Sequence, residues 1–247
     1  MNVTHKILIA LQYWGGDREQ AGKLAEFLAD LEPKHSDLAD VLLVNRNDCV
    51  PLGPEVDRRV SRKFNLWKYQ APRGNVGWPA GCNSLWRNTI GWTQSMMDAK
   101  RIPRYKAIFT CESDGCPVLP DWIARMSQAW DIANKPKPVC VAGPIVEIPG
   151  RHMNGNLMVS GDPETLRWVL RSADGIRVNA GWDWVLSPIF EKRGWANVSG
   201  MVSYYNTRGY TVEQFAKAQQ AQLIWIHGVK DYSLIEHGRR FLIGEQL

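Results

Sequence analysis

Apolar and polar positions along this chain fall in blocks whose period switches repeatedly between strand-like and helical. Residues 6–11 form a short apolar run that predicts a buried first strand. Ala21, Leu24, Leu28 and Leu31 then recur at helical spacing, and Asp17 and Gln20 have the spacing of a capping box at that helix start. Residues 40–45 predict a second strand, ending in polar Asn45, Arg46, Asn47 and Asp48. Residues 51–73 are basic and less regular. A glycine- and asparagine-rich stretch, 74–83, leads into a helix with Cys82, Leu85, Thr89, Trp92 and Met96 on one face and Asn83 and Arg87 on another. The apolar, β-prone run from Tyr105 stops abruptly at two acids, Glu112 and Asp114. Pro120 and Asp121 open the next helix, with the proline early and the acid at the positive dipole end.

The second half is less regular. Residues 139–146 and 156–160 are strand candidates, and Asp162 with Pro163 starts a helix to about Arg171. Gly181 to Trp184 opens another, which Gly194 closes. Thr211 and Gln214 cap a polar helix, and residues 223–226 deliver His227 to Asp231. Alternating β and α units predict an α/β fold with a mainly parallel, doubly wound central sheet flanked by helices. No internal repeat or linker interrupts it, so residues 1–247 read as a single domain. A more regular first half, 1–125, and a less regular second half, 126–247, divide it.

Composition adds modest constraints. The net charge of +5 suits phosphorylated partners or nucleic acid, and equally an ordinary soluble protein. Five cysteines without a C-x-x-C pair argue against a disulfide framework or zinc knuckle and point to a reducing cytoplasm. The first apolar run is too short to span a membrane. Neither G-x-G-x-x-G nor a P-loop is present, which disfavours dinucleotide oxidoreductases and P-loop NTPases. Residues 13–17 also lack the glycine-rich loop with arginine of sugar nucleotidyltransferases.

The chemistry concentrates at Glu112 and Asp114. Carboxylates at the carboxyl end of a central strand are placed to hold a hard divalent cation against a phosphate. With their surroundings they resemble the GT-A class of nucleotide-sugar glycosyltransferases, a Rossmann-like single-domain fold. Four blocks carry the resemblance: residues 7–17 with 45–48; residues 75–83; Glu112, Ser113 and Asp114 with 120–123, similar to the D-x-D motif and its sequel; and residues 181–183 followed by 227–230.

The resemblance implies Mn²⁺ or Mg²⁺ held by Asp114, by Glu112 directly or through water, and by His227. Glu112 departs from the family's aspartate by a longer arm. Lys230 would meet the diphosphate. Tyr13 would stack on a uracil, and Asn45, Arg46 and Asp48 would bind base and ribose. Arg73, Asn75, Gly81 and Asn83 would touch ribose or phosphate, unless Gly81 only permits close packing. Asp183 would be the general base of an inverting transfer, or only cap its helix. Arg151, His152, Asn154, Asn156 and Trp182 would contact sugar or acceptor, although Asn154 and Gly155 also read as a turn. The donor would be a UDP-sugar.

The compact form is similar to bacteriophage-encoded members, some of which glycosylate hydroxymethylated DNA bases, so DNA in a host cytoplasm is one acceptor to consider. The basic residues 58–63 would suit a DNA backbone or be a solvated face. A glycan or protein acceptor, and a non-catalytic nucleotide or nucleic-acid binding module, remain open.

Overall fold

The computed structural model describes residues 4–147, 150–174 and 179–245. The chain alternates as the apolar pattern predicts. β1 (Ile7–Tyr13) leads through a short 3-10 turn into α1 (Arg18–Leu31), then β2 (Ala39–Arg46), α2 (Pro54–Ser61), β3 (Leu66–Ala71), α3 (Ala80–Asp98) and β4 (Ala107–Glu112). After the two-residue β5 (Cys116–Pro117) come α4 (Trp122–Asn134), β6 (Val141–Gly143), β7 (Ile145–Val146), β8 (His152–Met153) and β9 (Leu157–Ser160). The chain continues through α5 (Pro163–Ala173), α6 (Trp182–Arg193), β10 (Trp195–Asn197), β11 (Val202–Thr207), α7 (Val212–Gln220), β12 (Trp225–Val229) and α8 (Ser233–Leu242).

Seven strands form the central sheet in the order β10-β6-β9-β4-β1-β2-β3. All its neighbours run parallel except β9, which is antiparallel to both β4 and β6. Both faces are buried, so β1 is apolar from Ile7 to Leu11. Ile7, Ile9 and Leu11 pack into one layer with α1 and α4, while Leu8 and Ala10 pack into the other with α3, α5 and α6. A second sheet, β11-β12-β5, pairs a late strand with the segment just after β4.

Three expectations change. The basic stretch 51–73 folds into α2 and the edge strand β3. Val60 is the one fully buried residue of α2 and Ala71 that of β3, so few buried apolar positions mark either element. Asp17 and Gln20 form no capping box. The Asp17 carboxylate accepts from Trp14 N and Ser113 Oγ instead, and the Gln20 amide donates to the carbonyls of Val229 and Asp231. The region 139–146 is two short strands rather than one. The box at Thr211 and Gln214 is present, as is the closure of α6 by Gly194 at positive φ. No helix among the described residues is long and apolar enough to cross a membrane, and all five cysteines are free.

Gly228 shows how closely the second sheet is drawn together. Its φ is +95°, and a Cβ there would lie 1.7 Å from the carbonyl oxygen of Tyr205. Gly228→Ala should therefore cost about 3 kcal/mol. The melting temperature should fall by roughly 6–12 °C for a chain of this size, and an unchanged melting curve would contradict the packing described.

Candidate functional site

The carboxyl ends of β1 and β4 lie side by side, with Gln12 in register with Glu112. After Glu112 the chain turns, and the Asp114 carbonyl accepts the backbone N–H groups of both Gly228 and Val229. That clamp joins β12 to the turn and brings His227 against the two acids. His227 Nε2 lies 3.1 Å from Glu112 Oε2 and 3.2 Å from Asp114 Oδ1. Lys230 pairs with the other Asp114 oxygen. These groups sit at a cavity of about 660 Å³, whose walls include Trp14, Asp17, Trp78, His152, Asp183, Trp184 and Tyr204.

The donor set fits a divalent cation. Asn154 Oδ1 accepts from Asn156 N, which identifies it as the amide oxygen, so the His227 Nδ1 facing it at 3.2 Å carries the proton. The Nε2 lone pair of the neutral ring is thereby aimed at the two acids. Asp114 Oδ1 is buried and meets no donor in hydrogen-bonding geometry. Glu112, Asp114 and His227 thus present three ligand atoms within 4.8 Å of one another. A mixed imidazole and carboxylate set suits manganese better than magnesium.

The titration of the site follows from the same contacts. Burial opposes charge on His227, yet the adjacent Asp114 carboxylate and the bond and charge of Glu112 override it and raise the imidazole to about 9. Burial likewise opposes charge on Asp114, but His227 and Lys230 hold it down at about 2. Asp17 goes the other way. Burial raises it to about 6, with Ser113 and the Trp14 N–H only partly offsetting this. Burial also raises Asp183, against the Trp184 N–H that bonds its carboxylate. Cys82 on the cavity wall is pushed up to about 12 by burial and by the charges of Glu112, Asp17 and Asp183.

The residues expected from sequence divide sharply. Glu112, Asp114, His227, Lys230, Asp183, His152, Asn154 and Trp182 all line the cavity. Tyr13 touches its wall, but only 2% of it is exposed, and its hydroxyl accepts from Leu52 N. Its ring is core and offers no free face. The exposed ring at this strand end is its neighbour Trp14, 58% exposed.

Asn45, Arg46, Asp48, Arg73, Asn75, Gly81 and Asn83 do not line the cavity. Asn45 is buried and bonds the carbonyls of Arg46 and Cys49. Arg46 holds Asp48 in a bidentate pair that lowers its carboxyl to about 2, reaches the Asn75 carbonyl, and leaves Arg73 alongside. A Cβ on Gly81 would crowd the backbone of Asn75 and Val76. The Asn83 amide donates to Ala180 O and accepts from Trp182 N, so it fixes the start of α6.

Among the expected acceptor contacts, Arg151 turns away to Glu191. Asn154 lines the cavity and faces His227, while Asn156 is buried behind the metal-ligand candidates and accepts from Glu112 N. Trp182 is core, stacked on Trp86 at 3.9 Å. Sequence reasoning missed Trp14, Asp17, Trp184 and Tyr204 as cavity residues. A tryptophan directly after a strand, and one directly after Asp183, were the available signals.

Compared by sequence, the chain matches no protein-family model and no curated protein. Its fold matches several solved glycosyltransferases. GlyE of Streptococcus pneumoniae TIGR4 aligns with a TM-score of 0.53 and 10% identity, over 99% of this chain and 61% of that one. The chain therefore spans about three fifths of GlyE's length. Mouse xyloside xylosyltransferase 1 gives a TM-score of 0.51 at 10% identity, covering 92% and 98% of the two chains. A glycosyltransferase involved in glycosylation of the major capsid of PBCV-1 gives 0.53 at 10%, covering 95% and 98%. The mainly parallel α/β sheet flanked by helices is thus a glycosyltransferase fold.

A proton must leave His227 Nε2 before a metal can bind, because that nitrogen is held protonated up to about 9. Apparent Mn²⁺ affinity should therefore rise by about tenfold per pH unit between pH 7 and 8, with close to one proton released per ion. Calorimetry in buffers of different ionisation enthalpy measures both, and His227→Asn should abolish the slope. In the metal-free protein the sign reverses. The stability contributed by charged His227 is complete below its ordinary 6.5 and is lost as pH rises through about 9.

Proposed function

We propose that this chain is a metal-dependent glycosyltransferase that moves a sugar from a nucleotide sugar, a UDP-sugar, to a hydroxyl acceptor. The observation that carries the reading is the convergence of Glu112, Asp114 and His227, with Lys230 beside them, on a cavity at the strand ends of this fold. A divalent cation held by those three residues would neutralise charge developing on the leaving diphosphate. Lys230, now paired with Asp114, is the nearby cation that would turn to the diphosphate as a point charge. The exposed Trp14 ring at the end of β1 supports stacking of the nucleobase. Residues 1–125 would thus carry most of the nucleoside site, and residues 126–247 the acceptor side with the late diphosphate segment.

Asp183 would take the proton from the acceptor hydroxyl. The acceptor oxygen forms its bond to the anomeric carbon while the bond from that carbon to the diphosphate oxygen breaks. Burial in the cavity raises Asp183 from the ordinary aspartate value and makes it a better proton acceptor than Asp114. Asp114, held ionised, suits the metal.

Incubation with UDP-sugars and Mn²⁺, following UDP release by chromatography, tests the proposal. Asp114→Asn should lower release about 100-fold. No release from any nucleotide sugar by the wild-type protein would reject the enzyme and favour a non-catalytic nucleotide-binding module. Asp183→Asn should lower transfer to an acceptor by about 100-fold or more. In the wild type the acid limb of the transfer rate should lie above the ordinary aspartate pKa, because only the ionised form accepts the proton. A full-rate Asp183→Asn enzyme would remove Asp183 from the mechanism.

A further inference from the structure

α6 begins with three residues of divergent duty. Trp182 points into the core against Trp86, Asp183 reaches the cavity, and Trp184 stands at the cavity wall with 41% of its surface exposed. Successive helical positions are turned by about 100°, so anchoring Trp182 in the core directs Trp184 outward.

The Trp184 ring is backed on one side. His152 stacks on it with ring centroids 4.7 Å apart and planes 19° from parallel. The His152 ring is itself fixed, because its Nδ1 faces the Gly150 carbonyl at 2.6 Å and must donate to it. Gly150 lies so close beneath the indole that a Cβ there would sit 3.3 Å from its Cζ2. The indole is therefore a preorganised flat surface next to the carboxylate of Asp183. The backbone N–H of Trp184 donates to that carboxylate, at 3.0 Å.

We infer that Trp184 is the platform on which the acceptor docks, and that the acceptor is a sugar residue. This rests on the transferase reading of the cavity. A sugar ring offers an apolar C–H face to the indole and hydroxyl donors to the neighbouring carboxylate. The charge of the cavity selects against the other flat candidate, a base carried on DNA. Asp17, Glu112, Asp114 and Asp183 line the cavity against His227, Lys230 and Arg208, and the first two of these cations are already engaged by Glu112 and Asp114, which leaves little free positive charge for a polyanion. The basic residues 58–63 do not compensate. Arg59 is bound by Asp30, Lys63 by the carbonyls of Glu32 and Pro33, and none of the stretch lines the cavity.

The test compares wild type, Trp184→Ala and Trp184→Phe. All three are applied to an array of defined oligosaccharides and assayed for transfer from labelled UDP-sugars to the sugars that bind. Hydroxymethylated duplex DNA and a serine/threonine peptide pool serve as the competing acceptors. The expected result is sugar binding by the wild type, with the acceptor KM raised about tenfold in Trp184→Ala, a smaller change in kcat, and recovery in Trp184→Phe. Sugar binding unchanged by Trp184→Ala would overturn the platform. The absence of any bound or modified sugar, whether or not DNA or peptide takes the label, would overturn the acceptor class. If no nucleotide sugar is turned over, the transferase reading fails, while array binding still decides whether Trp184 holds a sugar.

Discussion

Two hydrogen bonds from Gly228 and Val229 to the carbonyl of Asp114 hold the site together. Without them Glu112 and Asp114 end a central strand, and His227 belongs to a different sheet. The clamp is made of backbone, so it fixes position without consuming the side chains it assembles. Its cost is local. Strand β12 must approach β11 so closely that only glycine fits at 228, and the pairing of β11 with β12 is irregular between Tyr204 and Thr207. Gln20 reinforces the clamp by donating to the carbonyls of Val229 and Asp231, which ties the start of α1 to the same segment. The Asp17 bond to Ser113 joins the loop after β1 to the middle residue of the acidic turn. Three regions remote in sequence are thereby locked around one turn.

This explains what was legible in the sequence. The α/β alternation could be read because each element repeats its apolar period within a few residues. The strand end at Glu112 could be read because two acids close an apolar run. Edge strand β3 does carry a strand period, Trp67, Tyr69 and Ala71 alternating with exposed Lys68 and Gln70, but it is short and lies in a stretch dominated by basic residues, which hid it. The role of Asp17 was hidden for a different reason. Its sequence neighbours suggest a cap, but its partner is 96 residues away. Tyr13 and Trp14 show the same limit at single-residue scale. Adjacent aromatics at a strand end must point to opposite sides, and composition does not say which one is enclosed. Asn83, Asn154 and Asn156 looked like ligand contacts because they are polar. In the fold their amides are directed at backbone and at His227, where they orient other groups of the cavity that Asn154 itself also lines.

The same cavity holds carboxylates in opposed states. Asp114 faces two cations and stays ionised to about pH 2, whereas Asp17 lacks a paired cation and rises to about 6. Asp183 is also raised, and its hydrogen bond from Trp184 limits the rise. Were all of these acids equally ionised, their repulsion would oppose both the cluster and any diphosphate. Pairing one with His227 and Lys230 and desolvating the others leaves fixed negative charge at one end of the cavity and more readily protonated carboxylates at the other. The division depends on where the chain places its two basic groups. His227 and Lys230 arrive together on β12 and the residue after it, so the clamp at Asp114 sets the protonation pattern of the cavity as well as its shape.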